Sequence, residues 1–147
     1  HPDMAVARKH PGSAPFFEQI AGLGRHEHFL LAGIAGNMAD GGYHDIYVHA
    51  KIALIDDAWA TIGSTNIANR SFHRDTELNA SFWHPATVRA LRVELLSEHL
   101  GIDTAGLNIR EAMEGYRDIA AANRLRKQAG EPLQGLAHAL DPAVYGA

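Results

Sequence analysis

The chain contains no cysteine. That excludes disulfide staples and zinc–thiolate centres, but it leaves the compartment open, because cytosolic and secreted chains alike can lack the residue. No run approaches the roughly 18 apolar residues that a membrane-spanning helix requires, so at most a transient contact with a membrane surface is compatible. Positive charge is also in short supply. Thirteen Lys and Arg stand against 17 Asp and Glu, for a formal charge of −4, which argues against a dedicated nucleic-acid binder with a basic face. The first residue is His1, not Met, and no signal-peptide pattern precedes the rest. The chain is therefore expected to be a piece of something longer. No internal repeat or low-complexity stretch is present.

What is there describes an ordinary globular chain. Its 147 residues, 46% hydrophobic and 20% charged, suffice for a single domain with a real core and are not those of a disordered segment. The most informative stretch runs from Val48 to Asn66. From Val48 to Leu54 the even positions (Val48, Ala50, Ile52, Leu54) are all apolar, while His49 and Lys51 occupy the odd face. The alternation predicts a half-buried strand that projects both functional groups to one side. Asp56-Asp57-Ala58 is then a turn and Trp59 to Ile62 the returning strand, which brings Gly63-Ser64 back beside the start of the hairpin. Chemically this is a set for handling a phosphodiester. An imidazole can attack phosphorus or carry a proton near neutral pH, a lysine can hold phosphate charge, and Ser64 and Asn66 can donate hydrogen bonds to its oxygens.

The pattern His49-x-Lys51-x4-Asp56, followed by Gly63-Ser64-x-Asn66, resembles the HKD signature of the phospholipase D superfamily. Asn69-Arg70-Ser71, Arg74-Asp75-Thr76-Glu77 and Leu95 to Gly101 extend the likeness to the second-motif, C-terminal half of a bacterial phospholipase D. It covers roughly Tyr47 to Gly101. The resemblance implies an α/β domain with a mixed β-sheet flanked by helices, that is, one phospholipase D-like half domain over 1–147. Its core is expected at about 26–101, with a C-terminal helical extension at 102–147. It also implies catalysis through a phosphohistidine without cofactor or metal. One histidine attacks phosphorus, and a second, from another HKD half, protonates the leaving alkoxide. The second-motif histidine is usually the acid, so His49 takes that role first. Lys51, Ser64 and Asn66 would bind phosphate. Glu77 would accept a hydrogen bond from the catalytic imidazole and fix its tautomer.

Asp56 belongs to the motif, yet it lies at the turn on the opposite parity from His49, so a structural role is expected of it. The expected partners are a phospholipid or other phosphodiester substrate and a second HKD half, either an N-terminal domain of the same protein or a second copy. Two other readings remain. One is a dimeric single-motif nuclease using the same residues, and the other is a non-catalytic half domain.

Around this centre the reading is coarser. His1 to Pro15 holds three of six prolines and reads as an irregular entry, with Ser13 capping a short helix over Ala14 to Ala21. Phe29 to Ile34 reads as a buried strand and Asn37 to Asp45 as a loop. His26 and His28 lack a third ligand at suitable spacing and are read as surface residues, and His44 as lining the cleft mouth or exposed in its loop. The Gly63-Ser64 amides and a short helix over Thr65 to Arg70 are expected to face the phosphate. Glu77 is placed on a strand over Thr76 to Phe82. Pro85 opens an amphipathic helix to Leu100, whose Arg89, Arg92 and Glu98 read as a solvated face and whose His99 reads as structural. An Asn108…Glu111 capping pair starts a helix to Gly130 with a buried stripe of Ile109, Ala112, Met113, Tyr116, Ile119 and Ala120. Gly130 to Ala147 is expected to wrap the surface irregularly.

Overall fold

The computed structural model of the protein describes residues 7–145, so the first residues of the proline-rich entry and the last two of the chain lie outside the described residues. The elements run α1 (Ala14–Leu23), β1 (Ala32–Asn37), β2 (Tyr43–Asp45), β3 (Lys51–Ile55), β4 (Trp59–Gly63), α2 (Asn69–His73), β5 (Asn79–Trp83), α3 (Pro85–Leu100), α4 (Ile109–Ala129) and β6 (Ala137–Ala139). This is the expected α/β class. The strands, however, divide between two three-stranded sheets, ordered β2-β1-β6 and β3-β4-β5, and every pairing is antiparallel.

The two long helices begin and end where their signals stand. Pro85 opens α3, the His84 ring accepts from the Thr87 amide, and Gly101 closes the helix in the left-handed region at φ 64°. The α4 helix starts with a complete capping box between Asn108 and Glu111 and stops at Gly130, φ 74°. Its buried side is narrower than its apolar residues suggest. Ala112, Ala120 and Asn123 are buried, whereas Met113 is 47% exposed.

Three local expectations are corrected. The first strand starts three residues later than its apolar run, and the supposed loop after it closes a hairpin, with Tyr43–Asp45 paired to Asn37–Ala35. His44 sits in that hairpin with its ring over Gly36, where a Cβ would overlap it. The C-terminal segment is no surface wrap. The β6 strand pairs with β1, and Leu133, Ala137 and His138 are buried. The cause lies in α4. Fully buried Asn123 donates to the carbonyls of Gln134 and Ala137, both at 2.7 Å, and accepts from the Gln134 amide at 3.0 Å. One side chain thus satisfies polar backbone groups on both sides of the turn into β6.

Arg92 is the third correction. It is 2% exposed, not solvated. Its guanidinium forks onto Asp57 of the hairpin turn, Nε to Oδ1 at 2.9 Å and Nη2 to Oδ2 at 2.7 Å, the bidentate geometry that suits arginine. The guanidinium holds the Asp57 carboxyl below its ordinary range. This pair ties α3 to the β3–β4 hairpin.

Candidate active site

The hairpin forms as its sequence demands. Lys51 pairs with Gly63 and Ile55 with Trp59, around a turn in which Asp56 and Asp57 both take positive φ, 53° and 51°. Two successive left-handed residues are what a type I′ turn requires, and aspartate is among the few non-glycine types that tolerate them. Asp56 is thereby placed at the far end of β3, roughly 17 Å along the strand from Lys51 at about 3.4 Å per residue.

The strand itself is shorter than its alternation suggests. It begins at Lys51, and His49 precedes it in the stretch 46–50, which belongs to no strand. Cross-strand partners share a face, so one face carries Lys51, Gly63 and Asn79 in a row, then Ala53, Thr61 and Ser81, then Ile55, Trp59 and Trp83. The Ser81 hydroxyl donates to Thr61 at 2.9 Å in the middle row. The opposite face presents fully buried Ala60, where α3 packs on β4.

Glycine at 63 is enforced by its neighbours. A Cβ there would overlap the Asn79 side-chain oxygen and the Leu78 carbonyl. Asn79 uses that oxygen to accept from the Thr65 amide at 3.3 Å. The Ser64 amide donates to the Leu78 carbonyl at 3.0 Å, and the Asn66 amide to the Ser71 hydroxyl at 3.2 Å. The backbone donors of 64–66 are therefore committed inside the loop. They do not form an anion cradle, and the helix that follows starts only at Asn69. Recognition of an anion falls to side chains.

Those side chains converge. Lys51 and Asn66 line one cavity of ≈ 390 Å³ together with Thr65 and Asn79, and Ile67 and Phe72 form its apolar wall. Beside them the Ser64 hydroxyl donates to Glu77 at 2.5 Å and accepts from the Leu78 amide at 3.0 Å. Glu77 precedes β5 instead of lying on it. Its carboxyl is held below its ordinary range, first by the Ser64 hydroxyl, then by that of Ser71, with the Lys51 ammonium adding to them. It is thus ionised at neutral pH and engaged by serines. Among the described residues no hydrogen bond joins it to the His49 ring.

His49 is exposed. Its carbonyl accepts from Lys51 Nζ at 2.7 Å, and its ring stacks on Tyr47, centroids 5.9 Å apart and planes 21° from parallel. The structure therefore groups Lys51, Ser64, Asn66 and Glu77, sets His49 next to them through Lys51, and leaves Asp56 apart. Sequence reasoning missed Asn79, Ser71 and Tyr47. All three lie within the span of resemblance, but only Ser71 belongs to one of its distinctive runs, Asn69-Arg70-Ser71. Among the described residues no group of three metal-ligating side chains occurs, and no helix is long and apolar enough to cross a membrane.

A charged and amide-bearing cavity thus stands beside a histidine, on a hairpin packed against a helix of an α/β fold. Residues 15–98 match the family described as "Cardiolipin synthase, PLD-like domain", and the chain belongs to that family. It is similar to phospholipase D1 of Schizosaccharomyces pombe, 40% identical over 83 residues, covering 45% of this chain and 6% of the relative. It is also similar to phospholipase D alpha 3 of Arabidopsis thaliana, 32% identical over 90 residues, covering 52% and 11%. A cardiolipin synthase of Geobacillus is 34% identical over 56 residues, covering 38% and 11%. The chain thus spans only a small fraction of these relatives' length. No solved structure matches it.

Proposed function

We propose that this chain is one half of a two-motif phosphodiesterase site that hydrolyses or transphosphatidylates phospholipids through a phosphohistidine. The observation that carries the reading is the convergence of Lys51 and Asn66 on one cavity, beside His49, at the motif's spacing. Relatives named phospholipase D and cardiolipin synthase support a phospholipid as substrate.

In this reading the phosphate enters between Lys51 and Asn66. A histidine nitrogen of the second half bonds to phosphorus as the P–O bond to the leaving alkoxide breaks. His49, as imidazolium, gives its proton to that oxygen. Neutral His49 then takes a proton from water, or from an acceptor alcohol, whose oxygen displaces the histidine from phosphorus. The two imidazoles need opposite protonation states at one pH, which two separate positions can supply. Glu77 acts on His49 once the second half closes the site.

Exposed apolar side chains around the cavity support a missing cover. Ile67 is 94%, Leu78 82% and Phe72 60% exposed, more than a finished surface leaves bare in one neighbourhood. The test measures phosphodiesterase activity against protein concentration, with phosphatidylcholine and single-stranded DNA as competing substrates. Hydrolysis of lipid that rises faster than linearly, or appears only when a second HKD half is added, is expected. Activity strictly proportional to the amount of a monomer would overturn the half-site, and a preference for DNA would move the protein to the nuclease class.

A further inference from the structure

We propose that Tyr47 is a positioning residue for His49, its ring face holding the imidazole at the angle from which it reaches phosphorus chemistry. The inference rests on the reading of His49 as the proton-carrying group and assigns a residue that the motif does not contain.

The geometry leaves little else to do the work. His49 lies in the stretch between β2 and β3 that belongs to no strand, without a strand partner to fix its backbone. Its side chain is exposed, and Glu77 is engaged by Ser64. Two contacts act on it from within its own segment. Lys51 Nζ holds its carbonyl at 2.7 Å, which restrains the backbone but not χ1 or χ2. The Tyr47 ring, 5.9 Å away at 21°, restrains the ring plane. An offset parallel pair in this distance range is attractive.

The experiment is NMR on the whole chain carrying Tyr47→Phe, Tyr47→Trp and Tyr47→Leu, with folding judged from the dispersion of resonances far from the hairpin. Tyr47 is 61% exposed, so the fold should survive all three. The expected result has three parts. The upfield ring-current displacement of the His49 imidazole protons stays with Phe, grows with Trp and vanishes with Leu. The three-bond couplings about His49 χ1 collapse to rotamer-averaged values only with Leu. In the assembly that turns over lipid, kcat falls roughly 10- to 100-fold for Leu at unchanged KM and is restored by Phe, as expected when an acid-base group is misplaced.

An unaltered His49 spectrum in Tyr47→Leu would overturn the proposal. A Phe variant that behaves like Leu would also overturn it, because the hydroxyl and not the ring face would then be at work. The spectroscopic arm reads the stacking whether or not the chain turns over lipid. A normal stack in a protein inactive on lipid with any second half would therefore sink the proposed function and not this contact.

Discussion

In the sheet β2-β1-β6, Ala35 and Ala137 are fully buried, and the buried Asn123 and the side chain of Asn37 satisfy the backbone of the segment leading into β6. In the sheet β3-β4-β5, Ala60 alone is fully buried, the outer strands are largely open, and the bidentate Asp57–Arg92 pair tethers the hairpin to a helix. The first sheet is the more buried of the two. The second is a platform with one finished side, and all the candidate chemistry stands on it. Regions that must meet a substrate or a partner come from the less buried part of a structure. Here that division falls between two sheets of equal strand number, and what separates them is how their polar groups are satisfied.

The sharpest way to break the comparison is Asn123→Ala. Removing the amide leaves the Gln134 and Ala137 carbonyls and the Gln134 amide without their partner, at about 1–3 kcal/mol for each group that water does not reach. A loss of about 3–5 kcal/mol in chemical denaturation is expected, with β6 leaving β1. An unchanged midpoint would show that the more buried sheet does not depend on its asparagine.

Arg92→Met tests the open sheet in the same way. It leaves Asp57 facing a buried site, and a loss of about 3 kcal/mol is expected, read by denaturation and by hydrogen exchange in the hairpin. Glu77→Gln should separate function from stability. It is expected to lower turnover by roughly 10²-fold or more with the melting midpoint unmoved. Wild-type rates would make Glu77 a partner of Ser64 and nothing more.

Acid gives a smaller, graded effect. Asp57 is depressed in the folded state by Arg92, so the unfolded chain takes up its proton first. The pair contributes fully above the ordinary carboxylate value of about 3.9, and its share is lost as pH falls from there through the folded value. Stability of the wild type should therefore fall more steeply across that window than that of Asp57→Asn at matched ionic strength. The smallest effect expected is that of a chelator. In the proposed reading Lys51 with the Ser64 and Asn66 donors takes the place of a metal, so EDTA should leave turnover unchanged, and a loss restored by one metal would break the assignment.

How legible all this was varied with the range of the interaction. The α3 and α4 boundaries are visible because Pro85, Gly101, Asn108, Glu111 and Gly130 act within one turn of where they stand. The hairpin is visible for the same reason. Arg92 and Asn123 are not. Each is a polar residue on an amphipathic helix, and only partners 35 and 11 residues away in sequence make burial tolerable. The site was legible as a set of residues but not as a set of bonds. The Gly63-Ser64 amides and the start of the following helix were expected to face the anion, but the Ser64 and Asn66 amides turn inward because Leu78 and Ser71 offer acceptors that spacing does not reveal.

The bond from Lys51 Nζ to the His49 carbonyl couples the two residues through the main chain. An ammonium has three N–H donors, so in the proposed reading Lys51 keeps this carbonyl while it donates to a phosphate oxygen. The lysine would then be a strut as well as a charge, fixing where the backbone of the histidine stands when the ester arrives.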